Sequence, residues 1–210
     1  MTAEDSSKEE IMSATFDALC EHGYANLTMQ SIADEFDKSK SLIHYHYDSK
    51  DDLLAAFMDH LLENFVEMVT GCGGQDPVEE LRRMADIVVV GADDGNDAND
   101  FHTALLGLRA QAPYDEKLRD QLARNDARIR ELIADIVRDG QEQGQFDESV
   151  DPEEFAALFR SAIEGAQAHG VVLGDAAPTD EVMAAVDDLL VNRLLVGGEG
   201  GEADGEEGGE

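Results

Sequence analysis

The stretch from Leu27 to Leu54, LTMQSIADEFDKSKSLIHYHYDSKDDLL, constrains this chain more than any other. Thr28 is a cap candidate, and Met29, Ile32, Ala33 and Phe36 recur at helical spacing, which predicts a short helix with one buried stripe. Ser39 opens a second short helix with Leu42 or Ile43 turned inward. Ser49, followed by Asp52, opens a longer one in which Leu53, Leu54, Phe57, Leu61, Leu62, Phe65 and Val69 run to a stop at Gly71. Two short helices joined by a tight turn, the second leading into a longer helix, make a helix-turn-helix. The second helix of such a unit lies in the major groove of DNA, where base edges are distinguishable. Lys40, Ser41 and His44 are therefore expected to point outward near its start and contact bases. Thr28, Gln30, Lys38, Ser39, Tyr45, His46 and Lys50 are expected to contact phosphates, aided by exposed helix N–H groups.

Charge sets this stretch apart. The 210 residues carry 48 Asp and Glu against 15 Lys and Arg, a formal net of −33, a balance that taken alone argues against nucleic acid. From Phe36 to Lys50 the net is +1, leaving −34 on the remainder, and three of the five lysines lie in that window. The acid excess resembles that of cytoplasmic proteins from salt-in halophiles, where a Debye length of about 3 Å at molar salt screens the self-repulsion. Two cysteines, Cys20 and Cys72, without CxxC spacing or a nearby His pair, predict neither a disulfide framework nor a metal site. No run approaches the roughly 20 apolar residues of a membrane span, and the acidic N-terminus is unlike a signal peptide, so a cytoplasmic chain is expected.

The rest of the chain reads as helices throughout. Ser6 or Ser7 with Glu9 or Glu10 offers a capping box, and Ile11, Ala14, Thr15, Ala18 and Leu19 predict a first helix from about Ser7 to His22, ended by Gly23. Asp76-Pro77-Val78-Glu79 and Asp151-Pro152-Glu153-Glu154 each place an N-cap carboxylate, a first-turn proline and a glutamate, starting helices that run to about Val90 and Val172. Between them Gly91 to Asp100 predicts a loop, Phe101 to Gln111 a helix ended by Pro113, and Asp115 to Gln143 a long helix stopped by Gly144. A last helix is expected from about Thr179 to Val196, and the Gly/Glu tail from Gly197 to Glu210 is expected to be disordered. The final two helices each carry two stripes. Ala157, Ser161, Gly165, Ala168 and Val172 on one, with Val186, Leu190 and Leu194 on the other, are expected to form a homodimer interface.

The run Ile32-Ala33, Ser39, Ile43-His44-Tyr45-His46-Tyr47 and Ser49-Lys50-Asp51-Asp52-Leu53 resembles the N-terminal DNA-binding domain of TetR-family transcriptional regulators. Upstream, Phe16, Leu19, Gly23 and Tyr24 fit the family's first helix and the turn that follows it. The chain departs from the family at Asp37 and Lys38, where a Gly and a buried Val are usual, and at Ser41 and His44, which replace a small residue and a Tyr. Lys38 can snorkel over the turn toward a phosphate or stay solvated. The segment from Phe101 to Leu195, with Leu108-Arg109-Ala110, most resembles the carboxyl-terminal domain of the BetI-like branch.

The resemblance implies an all-α fold of about nine helices: a three-helix DNA-binding domain over 1–50, a helical effector-binding and dimerisation domain over 51–196, and the tail over 197–210. It implies a pocket walled by Met84, Phe101, Leu105, Leu108, Arg109 and Phe159, although periodicity alone reads these as core. His102 and His169 read as ordinary helical histidines. The expected function is a dimeric regulator, a repressor released from a palindromic double-stranded DNA operator by an unidentified small-molecule effector, with no metal or cofactor. The alternative is a helical protein-interaction module of the same fold that no longer binds DNA. Nothing in the chain has the pattern of a nucleophile elbow, a phosphate-binding glycine loop or HExxH, so an enzyme is not expected.

Overall fold

The computed structural model describes residues 3–36, 40–71, 76–91 and 96–196. Asp37, Lys38, Ser39, Cys72 and the tail over 197–210 lie outside these described residues, as do residues 92–95 of the segment expected to loop. The fold is all-α, with three N-terminal helices in helix-turn-helix order and a larger helical bundle behind them.

Helix α1 spans Ala3–Asn26 and is broken at Gly23, whose φ of 67° and ψ of 165° lie in a region that glycine alone enters freely. Ile11, Ala14, Ala18 and Leu19 are buried along it, and buried Thr15 satisfies its hydroxyl by donating to the Ile11 carbonyl at 2.7 Å. Helix α2, Met29–Asp34, is held by a reciprocal capping box: the Thr28 hydroxyl accepts from the Ser31 N–H, and the Ser31 hydroxyl oxygen accepts from the Thr28 N–H. Helix α3, Lys40–His46, buries Ile43 completely, and α4, Lys50–Thr70, starts on Ser49, whose oxygen accepts from the Asp52 N–H. Ile11, Leu19, Leu27, Ile32, Ile43, Leu53 and Phe57 form one core under the three N-terminal helices. Ala104, from a helix of the bundle, joins that core and ties the two regions together.

Helices α5 (Pro77–Val89) and α8 (Pro152–Leu173) begin where the two Asp-Pro signals place them, with Asp76 and Asp151 accepting from first-turn N–H groups. Asp115 caps α7, Glu116–Glu142, in the same way. Helix α6 spans Asn96–Gln111 and so begins five residues before Phe101. The Asn/Asp run expected to be loop supplies its first turn.

The last helix also differs from the expectation. Helix α9 covers Thr179–Val186, passes into a π-helical segment over Asp187–Val191, and ends after one turn at Asn192–Leu194. Leu195 is extended and bridges Phe146, with the Asp147 N–H donating to the Leu194 carbonyl at 2.7 Å and the Val196 N–H to that of Gln145 at 2.9 Å. These pairings with the turn after α7 end the helix short of Val196. A second core, including Leu81, Met84, Ile133, Val137, Phe155, Phe159 and Ile163, fills the space between α5, α7, α8 and α9.

Candidate functional site

The exposed side of α3 is defined by what lies beneath it. With Ile43 fully buried and Leu42 half-buried, Lys40, Ser41 and His44 stand on the solvent side, and Tyr45 is 77% exposed. The half-buried His46 ring meets Tyr45 edge-on at 5.1 Å. Lys40 Nζ donates to Gln30 Oε1 at 2.7 Å, and Gln30 Nε2 donates to Asp34 Oδ1 at 2.7 Å. This relay links α2 to the start of α3 and aligns two of the residues expected at DNA. Thr28 is exposed but its oxygen is engaged in the cap. Lys50 has a structural role that the sequence did not reveal: Nζ donates to the Leu27 carbonyl at 3.1 Å and lies 5.0 Å from the centre of the Tyr24 ring. Cation–π attraction and a charge-assisted hydrogen bond thus pin the α1–α2 connection to α4. Lys38 and Ser39 lie outside the described residues.

Behind this surface a cavity of about 810 Å³ opens between α1, α4, α6, α7 and α8. Of the expected wall, Phe101, Leu105 and Arg109 line it. Met84, Leu108 and Phe159 do not: all three are fully buried, Met84 and Phe159 in the core of the bundle and Leu108 against Met58 and Leu118. They lie on the faces of their helices that fill the interior. Helix α1 contributes Met12 and Phe16, and the Phe16 ring stacks on Phe101 at 5.1 Å between centroids.

One part of the cavity wall is polar. Arg109 Nη1 donates to Gln167 Oε1 at 2.9 Å and pairs with Glu164 at 3.4 Å, while Gln167 Nε2 donates to the Val88 carbonyl at 2.8 Å. Arg160, only 5% exposed, pairs with Glu164 at 2.9 Å and approaches Asp126 at 3.4 Å. Asp126 is also held by Arg130 at 2.9 Å. Burial lowers the Arg109 pKa from its ordinary value, an effect that Glu164 opposes. Burial, with the Arg109 charge, lowers that of His102, another lining residue, which favours the neutral imidazole. Sequence reasoning missed Arg160, Glu164 and Gln167. Their signal was present as polar residues at helical spacing amid the apolar positions Phe159, Ile163 and Ala166.

On α8, Ala157, Ser161, Gly165 and Val172 are exposed and Ala168 is half-buried, so this face is open in the single chain. Val186 and Leu194 are instead buried in the chain's own core, and half-buried Leu190 packs against it. The π-helical segment between them shifts the register of α9, and Leu189, 57% exposed, stands on the surface. His169 is exposed. At the junction of α1 and α2, Glu21, His22 and Glu35 bring ligand-type atoms within 4.8 Å of one another, with both carboxylates in solvent.

Residues 11–57 match the family described as bacterial regulatory proteins, tetR family, and residues 77–195 match the family described as BetI-type transcriptional repressor, C-terminal. A TetR transcription regulator from Haloarcula marismortui ATCC 43049 is 38% identical and superposes with a TM-score of 0.77 over 91% of this chain and 100% of that one. A putative transcriptional regulator from Saccharomonospora viridis, solved in complex with choline, is 22% identical with a TM-score of 0.73 over 91% of this chain and 99% of that one, a likeness of fold. The HTH-type transcriptional regulator BetI of Stenotrophomonas maltophilia (strain R551-3) is 32% identical over 82 residues. That match spans 38% of this chain and 42% of the relative, less than half its length.

Proposed function

We propose that this chain, which belongs to the TetR family of transcriptional regulators, is a dimeric repressor that leaves a palindromic operator when a small molecule occupies the cavity. The observation that carries the effector half is the make-up of the cavity wall. Met12 and Phe16 of α1 face the same space as Phe101 and Arg109 of α6, so one occupant touches both the DNA-binding helices and the bundle. An occupant that binds one arrangement of α1 and α6 better than another shifts the spacing of the two α3 helices in a dimer, and so the affinity for two half-sites.

In this reading Lys40, Ser41 and His44 contact bases, while Thr28, Gln30, Lys38, Ser39, Tyr45, His46 and Lys50 contact or support phosphate binding. The DNA-binding unit is residues 1–50, and residues 51–196 supply most of the effector cavity, which α1 completes, and pair the subunits. Pairing uses the open face of α8, Ala157, Ser161, Gly165 and Val172, extended by Leu189. The acidic composition suits a cytoplasm of high salt. There counterion release adds little affinity, and base contacts and dimerisation carry more of the binding.

A mobility-shift assay with the DNA upstream of its own gene, run across a salt series, tests the central reading. Sequence-selective binding is expected; its absence at every salt concentration would overturn it. The net charge of −33 favours one rival, a helical protein-interaction module that has lost DNA binding, and the same assay decides between them.

A further inference from the structure

We propose that the cavity takes an amphipathic carboxylate, its head group on the guanidiniums of Arg160 and Arg109 and its apolar body lying along α6 toward Phe16 and Phe101. This rests on the reading of the cavity as the effector site. The first support is a buried donor without an acceptor. Arg160 is 95% removed from solvent, yet its Nε makes no hydrogen bond among the described residues, the nearest carboxylate being Asp126 at 3.4 Å in poor hydrogen-bonding geometry. A buried N–H left unsatisfied is costly, and an acceptor oxygen brought by a ligand removes that cost.

The second support is the sharing of carboxylates in the ion-pair network. Arg109 and Arg160 of the cavity wall share Glu164, and Asp126 is divided between Arg160 and Arg130, which lies outside the wall, so neither carboxylate is dedicated to one guanidinium and both wall arginines keep donors for an anionic head group. Guanidiniums present planar paired donors that suit a carboxylate. Over the whole wall Arg109, Arg119 and Arg160 stand against Glu9, Asp126 and Glu164, so the preference for an anion is local to the end where Arg109 and Arg160 lie. A cationic head group fits poorly, because Glu164 and Asp126 are already engaged by arginines.

The third support is the apolar remainder of the wall, to which Phe57, Leu61, Phe65, Leu122 and Ile129 contribute. Phe101 and Arg109 are eight residues apart on α6, about 12 Å along its axis, the length of roughly ten extended carbon atoms. A straight or branched acid of that size reaches from the arginines to α1.

Isothermal titration of the full chain with decanoate, decan-1-ol and decyltrimethylammonium tests this. Decanoate is expected to bind at least tenfold more tightly than the alcohol, with the ammonium weakest. Arg160→Gln should bring decanoate down to the level of the alcohol and leave the alcohol unchanged. Arg109→Gln, at a less buried position, should act in the same direction if the first variant fails to fold. Equal binding of acid and alcohol, tighter binding of the ammonium, or no binding of any probe would overturn the proposal. A mobility shift with each probe added separates the two readings. Decanoate that binds without releasing DNA leaves this site standing and removes the effector-release reading. An ammonium that binds and releases DNA does the reverse.

Discussion

Gly140 sits inside α7, where helix propensity alone says that Gly140→Ala should stabilise the chain by about 1 kcal/mol. The structure reverses the sign. A Cβ built on Gly140 would lie 2.1, 2.5 and 2.7 Å from three ring carbons of Phe146, whose side chain is fully buried. The ring cannot simply withdraw, because the Phe146 N–H donates to the Gly140 carbonyl at 3.1 Å and the neighbouring Asp147 N–H donates to the Leu194 carbonyl. Overpacking of this kind costs about 1–3 kcal/mol, and so tight an approach belongs at the upper end. After the gain in propensity, a net loss of about 2 kcal/mol remains, which lowers Tm by about 4–8 °C for a chain of this length. Thermal melts followed by circular dichroism at one fixed protein concentration measure it, since association would otherwise shift the midpoint. Gly107→Ala is the control. Gly107 lies in α6 with nothing within 4 Å of its added Cβ and should gain about 0.4–1 kcal/mol. A Gly140→Ala chain as stable as the parent, or more so, would refute the reasoning.

Gly165→Leu on the open face of α8 should leave the subunit folded but convert dimer to monomer by light scattering; an unchanged dimer would remove that face from the interface. Lys50→Ala should weaken binding to all DNA sequences alike and flatten the dependence of log affinity on log salt by about one unit. Because Lys50 also holds the Leu27 carbonyl, the same variant should lower thermal stability. Lys40→Ala and His44→Ala should instead change which sequences are preferred in a binding-site selection, and uniform weakening by Lys40→Ala would take it off the bases. The lowered pKa of His102 gives a pH dependence with a definite sign. Its contribution is intact above the unfolded value of about 6.5, where both states are neutral, and is lost as pH falls through the lower folded value, since the unfolded chain takes up the proton first. Denaturation midpoints of His102→Asn against the parent should converge with this slope removed, and parallel curves would refute it.

Local chemistry made much of the fold legible. The caps at Thr28, Ser49, Asp76, Asp115 and Asp151 act within three residues of themselves, and the apolar positions of α1 to α4 recur at helical spacing. Where that locality failed, the reason was also physical. The Asn/Asp run at the start of α6 suits either a loop or a helix N-terminus, and the register of α9 depends on a π-helical segment stapled from outside. Arg82 of α5 donates to Asp187 at 2.7 Å and to Asn192 at 3.1 Å across it.

By itself, then, the sequence determined the order of the helices, the caps that start α2, α4, α5, α7 and α8, and an exposed row of Lys40, Ser41 and His44 over an inward-facing Leu42 or Ile43, because each depends on neighbours within one or two turns. Only the tertiary structure decided which apolar residues fill the interior and which line a space. Met84, Leu108 and Phe159 have the same periodicity as Phe101 and Leu105, and what separates them is the approach of α1 and α8 to α6. The same approach brings Arg160 and Glu164 beside Arg109, at chain separations that no local pattern encodes.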